Sequence, residues 1–235
     1  MKLKKVLAPA ALLIALLMTA HVMAGSEFLF DGYAVYSPAP DQVGATMDVY
    51  GILSTVGGVP TPIALDMDNF EYTVHVADMA IATYDEFPAI PPIIGPRKVL
   101  TFAGGMLRIY ADAIVGGTAA DFAAPGTFTD GELILAATVH DGWRMQLADP
   151  FGMTFAGSGV GFCDFYGGSN LADLIEYGGQ PFLENWTFAG TGISDPSFFV
   201  TVPDGYDRIF GVKLVYPEPV PTTGSSWGGV KALFD

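Results

Sequence analysis

Asp66, Asp68 and Glu71 fall within Asp66-Met67-Asp68-Asn69-Phe70-Glu71, where carboxylates on an extended loop can converge their oxygens on a hard cation such as calcium. The glycine and the distal bidentate glutamate of the helical calcium loop are missing, and the same residues also suit a polar turn ahead of a strand beginning at Phe70. Three rings, Trp143, Trp186 and Tyr177, could stack on sugars, although core packing is the commoner use of such residues. The pairs Asp85-Glu86, Asp130 with Glu132, and Asp204 with Asp207 have the chemistry of glycoside hydrolysis. With 25 acidic residues in the chain, however, such pairs arise everywhere and none stands out, so no catalytic residue is assigned.

Other signatures read as structure. Gly157-Ser158-Gly159-Val160-Gly161 has no following Gly-Lys-Ser or Gly-Lys-Thr and opens no helix, so it suits a strand lying close to another backbone better than a phosphate loop. Gly224-Ser225-Ser226-Trp227-Gly228 matches the serine-hydrolase pattern but sits in a proline-rich tail, where no strand-to-helix elbow can form. His75 and His140 lie inside strand candidates and are too few for a three-histidine metal centre. Cys163 is the sole cysteine; between Phe162 and Phe165, with Asp164 its nearest charge, it reads as a packed thiol.

These residues must be positioned by strands. Alternation of period two is strongest over Phe70 to Ala77, with Phe70, Tyr72, Val74 and Val76 on one face, and recurs at Met106 to Asp112 and Tyr206 to Tyr216. Further strands are expected at Phe28 to Tyr36, Thr46 to Ser54, Lys98 to Ala103, Glu132 to His140, Trp143 to Leu147, Thr154 to Tyr166, Trp186 to Gly190 and Phe198 to Val202. Turn pairs punctuate them, including Gly104-Gly105 and Asp204-Gly205, and Asp141-Gly142 is expected to form a tight hairpin. One short helix is expected from Leu171 to Tyr177, capped by Asn170 and stopped by Gly178. The sum is an all-β domain of about ten antiparallel strands, a jelly-roll-like sandwich or a flattened barrel.

The first 24 residues combine Lys2, Lys4 and Lys5 with an apolar run from Val6 to Met18 and a cut expected at Ala24-Gly25, the pattern of a secretory signal peptide. Residues 25–216 then form the domain, and 217–235 a linker and tail in which Pro217 to Ser226 precede Trp227, Val230, Leu233 and Phe234. Removing the leader from the 235 residues leaves 211, with seven of the ten bases and all 25 acids, a formal charge of −18. That balance and the scattered bases exclude nucleic acid as a partner. No second run of about 20 apolar residues follows, so no spanning helix is expected in the mature chain.

Phe128-Thr129-Asp130-Gly131-Glu132-Leu133-Ile134-Leu135, the stretch Gly157 to Gly168, and Pro217-Glu218-Pro219 together resemble a loose group of exported bacterial all-β proteins, many with Pro-Glu-Pro sorting tails. The chain departs from that group in having no spanning helix after Pro219 and only Lys231 as a base beyond it. The resemblance implies export and no catalytic residues. The expectation is therefore a secreted, non-catalytic structural or binding protein of the cell surface or extracellular matrix, able to self-assemble or to contact surface glycan. The alternatives are a secreted carbohydrate-active enzyme using two carboxylates, and a calcium- or sugar-binding module.

Overall fold

A computed structural model describes residues 27–57, 63–90, 95–149, 155–176, 183–194 and 202–215. Its strands are β1 (Glu27–Ser37), β2 (Thr46–Gly57), β3 (Phe70–Phe87), β4 (Arg97–Ala103), β5 (Met106–Ala113), β6 (Glu132–Val139), β7 (Trp143–Ala148), β8 (Ala156–Gly167), β9 (Trp186–Ser194) and β10 (Arg208–Val215). A short 3-10 turn, Pro125–Phe128, precedes β6, and helix α1 (Leu171–Glu176) follows β8. The expected signal peptide, Tyr177, the strand expected at Phe198 to Val202 (as far as residue 201) and the expected tail lie outside the described residues.

Every pairing is antiparallel, and the sheet closes on itself: β2 pairs with β3 as well as β1, and β10 pairs with both β1 and β9. Eight strands, β1, β2, β3, β5, β6, β8, β9 and β10, form the ring, so the architecture is a barrel. β4 and β7 extend this ring. β3 pairs through Phe70 to Ala77 with β5 and through Ala80 to Phe87 with β4, so β4 and β5 are two arms of one long partner. In the same way β8 pairs with β7 and then β6.

The sequence expectation is corrected at Asp141-Gly142. This pair bends a continuous ribbon, with β6 and β7 running on in the same direction along β8, and it is not a hairpin. An Asp-Gly pair supplies φ > 0, here 87° at Gly142, and such a residue serves a bend within a strand as readily as a turn between two. The bend is one of a row. The β2–β3 register shifts at Asp48, opposite Ala77 and Asp78 (φ 60°), and Gly104 and Gly105 (φ 63° and 131°) separate β4 from β5. Side chains stitch the row together: Asp48 accepts the Asp78 N–H at 2.9 Å, and Asp141 accepts the Gly104 N–H at 2.6 Å. Aligned bulges curl a sheet, which lets this one close.

The interior is apolar. Phe28, Phe30, Met47, Val49, Val74, Val76, Leu107, Ile109, Trp143, Met145, Phe188, Phe210 and Val212 all point inward and are buried. Charges such as Asp31, Arg108, Arg144 and Lys213 alternate with these residues and stand on the outer wall, the reverse of a membrane-spanning barrel. Room for Trp143 comes from the glycines of the 157–161 run and of β9. A Cβ on Gly159 or Gly161 would lie 2.6 or 2.7 Å from its indole, and one on Gly190 would lie 2.6 Å from the Phe210 ring. The glycine run thus serves close packing on an inward face, with Trp143 Nε1 donating to the Phe188 carbonyl at 3.1 Å.

Candidate functional site

Strand β8 turns Cys163 and Phe165 into the core and Val160, Phe162, Asp164 and Tyr166 outward. On the β9 side its outer neighbours are small, with Val160 facing Ala189 and Phe162 facing Thr187, while Arg144 of β7 pairs with Val160 on the other. Val160, Phe162 and Tyr166 therefore remain 50%, 49% and 53% exposed. Between the two rings, Asp164 meets His140 Nε2 at 2.7 Å and accepts the Asn185 N–H at 2.7 Å. Burial works to raise the Asp164 carboxyl, and the Asn185 and His140 contacts outweigh it, holding the group below its ordinary range. A carboxylate–imidazole pair flanked by exposed rings can hydrogen-bond and stack at once. The neighbouring Cys163 thiol is not available to this pair: it faces the core, and burial pushes its pKa far up.

At the opposite wall, the 114–131 connection lies across β1, β2 and β3. Phe122 packs edge-on to Tyr33 at 4.7 Å, and Phe128, fully buried, meets Tyr50 at 5.6 Å. Thr73 donates its hydroxyl to the Phe128 carbonyl at 2.8 Å, and Glu71 accepts the Ala120 N–H at 2.7 Å. Beneath this strap, His75 stacks on Tyr50 at 4.6 Å, and burial lowers its pKa, favouring the uncharged ring.

One barrel mouth is closed by charge. Arg208, buried, donates to the Tyr36 hydroxyl at 2.9 Å and to Asp41, and Asp41 also holds Lys98 at 2.7 Å. Burial alone would raise the Asp41 carboxyl, but Arg208 and Lys98 together keep it below its usual range. Burial pushes the Tyr36 hydroxyl up to about 12, so it stays protonated as it accepts from Arg208.

The residues proposed from sequence are placed differently. Trp143 and Trp186 are fully buried, a correction to their reading as sugar platforms: the inward parity of β7 and β9 puts both indoles inside the barrel. Phe162 and Tyr166 on β8 face out, as do Phe70 and Phe87 on β3, and the sequence does not single them out because alternation defines two faces without saying which is wet. Asp66, Asp68 and Glu71 are not drawn together. The Asp66 carboxylate accepts the Asn69 backbone N–H at 3.2 Å and the Asn69 side-chain amide at 2.8 Å, while Glu71 is engaged under the strap. No group of three metal-ligating side chains occurs among the described residues. Of the carboxylate pairs, Asp207 accepts the Tyr36 N–H at 2.7 Å and Glu86 accepts from Tyr84 at 3.2 Å. No family model, no curated protein and no solved structure matches this chain.

Proposed function

We propose that this is an exported, non-catalytic structural or binding protein of the cell surface or extracellular matrix, which makes its contacts through the outer wall of a filled barrel. The observation that carries the reading is the interior: the space in which other eight-stranded barrels hold a ligand is taken by Trp143, Trp186, Phe102, Phe188 and Phe210, all fully buried. Recognition then falls to the outside. The carboxylates agree with a structural role, since Asp48, Glu71, Asp112, Asp141, Asp164 and Asp207 each accept a backbone N–H at a bend or loop. In a chain with one cysteine, and so no intrachain disulfide, these contacts take over the pinning of connections.

A sugar-binding module is the second reading, supported by Phe162 and Tyr166 standing exposed on either side of the His140–Asp164 pair. Co-sedimentation with insoluble cell-wall and matrix polysaccharides, combined with a reducing-end assay, tests both readings. Retention without release of reducing ends is expected, and loss of retention in Phe162→Ala/Tyr166→Ala would assign it to β8. Release of reducing ends that vanishes when a single carboxylate is changed would overturn the non-catalytic reading.

A further inference from the structure

Along the outer wall of β1, β10, β9 and β8, small side chains interrupt larger ones such as Leu29, Ile193 and Ile209. Gly211, Thr191, Ala189 and Ser158 leave two adjoining grooves of about 520 and 270 Å³ that share Leu29, Thr191 and Gly211. Their walls are largely apolar, and together they form one trough running along the strands. At one end the trough is bordered by Glu27 and Val215, so it begins where β10 finishes. Asp31 stands in the larger groove, exposed and without an ion pair among the described residues.

We infer that the trough is the seat of this chain's own segment Trp227–Phe234. Beyond Val215 the sequence runs through Pro217 to Ser226 before reaching Trp227, Val230, Leu233 and Phe234, with Lys231 the one base after Lys213. Eleven spacer residues, extended at about 3.1 Å each, reach roughly 30 Å. The β9 face from Thr187 to Ile193 is six steps long, about 20 Å at 3.3 Å per residue, so Trp227 can be delivered anywhere along it. The chemistry is complementary: large apolar side chains meet the low ground at Gly211, Thr191 and Ala189 between the apolar flanks of Leu29, Ile193 and Phe122, Gly228 and Gly229 permit close backbone approach, and Lys231 matches Asp31. This inference does not depend on what the protein binds.

The two indoles of the barrel, Trp143 and Trp186, are buried, so Trp227 is the one tryptophan whose environment the docking decides. Acrylamide quenching of the chain extending to Asp235, compared with its Trp227→Phe variant, isolates that residue. A blue-shifted, protected Trp227 is expected, released several-fold to quencher by Thr191→Arg in the trough. Asp31→Lys, an exposed change that leaves the barrel intact, is expected to weaken the protection as well. The inference is overturned if Trp227 quenches like a free indole, if it stays protected in both folded variants, or if its protection disappears on dilution, which would place the segment on a second copy.

Discussion

At the level of single residues, the interior is a set of exchanges between missing and oversized side chains. Gly190 shows this most cleanly, because the nearest atoms to a Cβ there belong to side chains, Phe210 at 2.6 and 2.7 Å and Trp143 at 3.0 Å. Gly190→Ala is therefore expected to destabilise by about 1–3 kcal/mol through overpacking. Phe210→Leu in the same chain removes the offending ring edge, so the double variant should lie above the sum of the two singles in a denaturant-unfolding cycle. Simple additivity would show that the ring is not what the glycine makes room for.

Asp41 supports a second test. Its carboxyl is held below the ordinary 3.8 in the fold, so the unfolded chain takes up the proton more readily. The stability it contributes is present above that value and lost as pH falls through the lower folded value. Asp41→Asn leaves Arg208 buried without its counter-charge, which is expected to cost about 3–5 kcal/mol at neutral pH. The same change should also flatten the decline below pH 4, read by thermal melts across the acid range, since the group that titrates there is gone. A decline as steep as the parent's would assign the acid limb to other carboxylates, Asp164 first among them.

At the level of elements, strand existence was legible and strand connection was not. Alternation at Phe28, Phe30, Ala34 and Tyr36, or at Leu107, Ile109 and Ala111, carries its own period, and β1 and β5 appear where that period places them. Asp141-Gly142 carries only a local demand for φ > 0. Whether it reverses a ribbon or bends it depends on β8, whose pairing with both β6 and β7 is not encoded near the turn. The exposure of Phe162 and the burial of Trp186 are not legible in the sequence for a related reason: which face is inward follows from closure of the ring. Gly105 tests the row of bends directly. At φ 131°, and with a Cβ only 2.6 Å from Met79, Gly105→Ala should lose at least about 1–3 kcal/mol, the cost of holding a non-glycine residue in a disfavoured backbone region. Gly142→Ala, at φ 87° with nothing within 4 Å of its Cβ, isolates the backbone part alone and should cost less. Equal losses in urea unfolding would mean that the Met79 contact is easily relieved.

For the whole molecule, the decisive contact is between the first and last described strands. β1 and β10 pair from Glu27↔Val215 to Ala34↔Arg208, joining residues nearly the full chain apart, and without that ladder both strands would be open edges. Closure explains why an acidic chain with one cysteine can dispense with disulfides: each ring strand has partners on both sides, and the core is continuous around the axis. It also makes the architecture testable by a covalent bond. Leu29 and Lys213 are partners on the outer wall, and paired antiparallel residues lie about 4.5–5.5 Å apart at Cα, within disulfide range. Leu29→Cys/Lys213→Cys should therefore oxidise readily, with Cys163 buried out of reach, and should stabilise the chain by about 2–4 kcal/mol against its own reduced form. The measurement is a pair of melts with and without reductant, after mass spectrometry has assigned the bond. An open sandwich with β1 and β10 on separate edges could not form it, and failure of the two thiols to join in the folded chain would refute the closed ring.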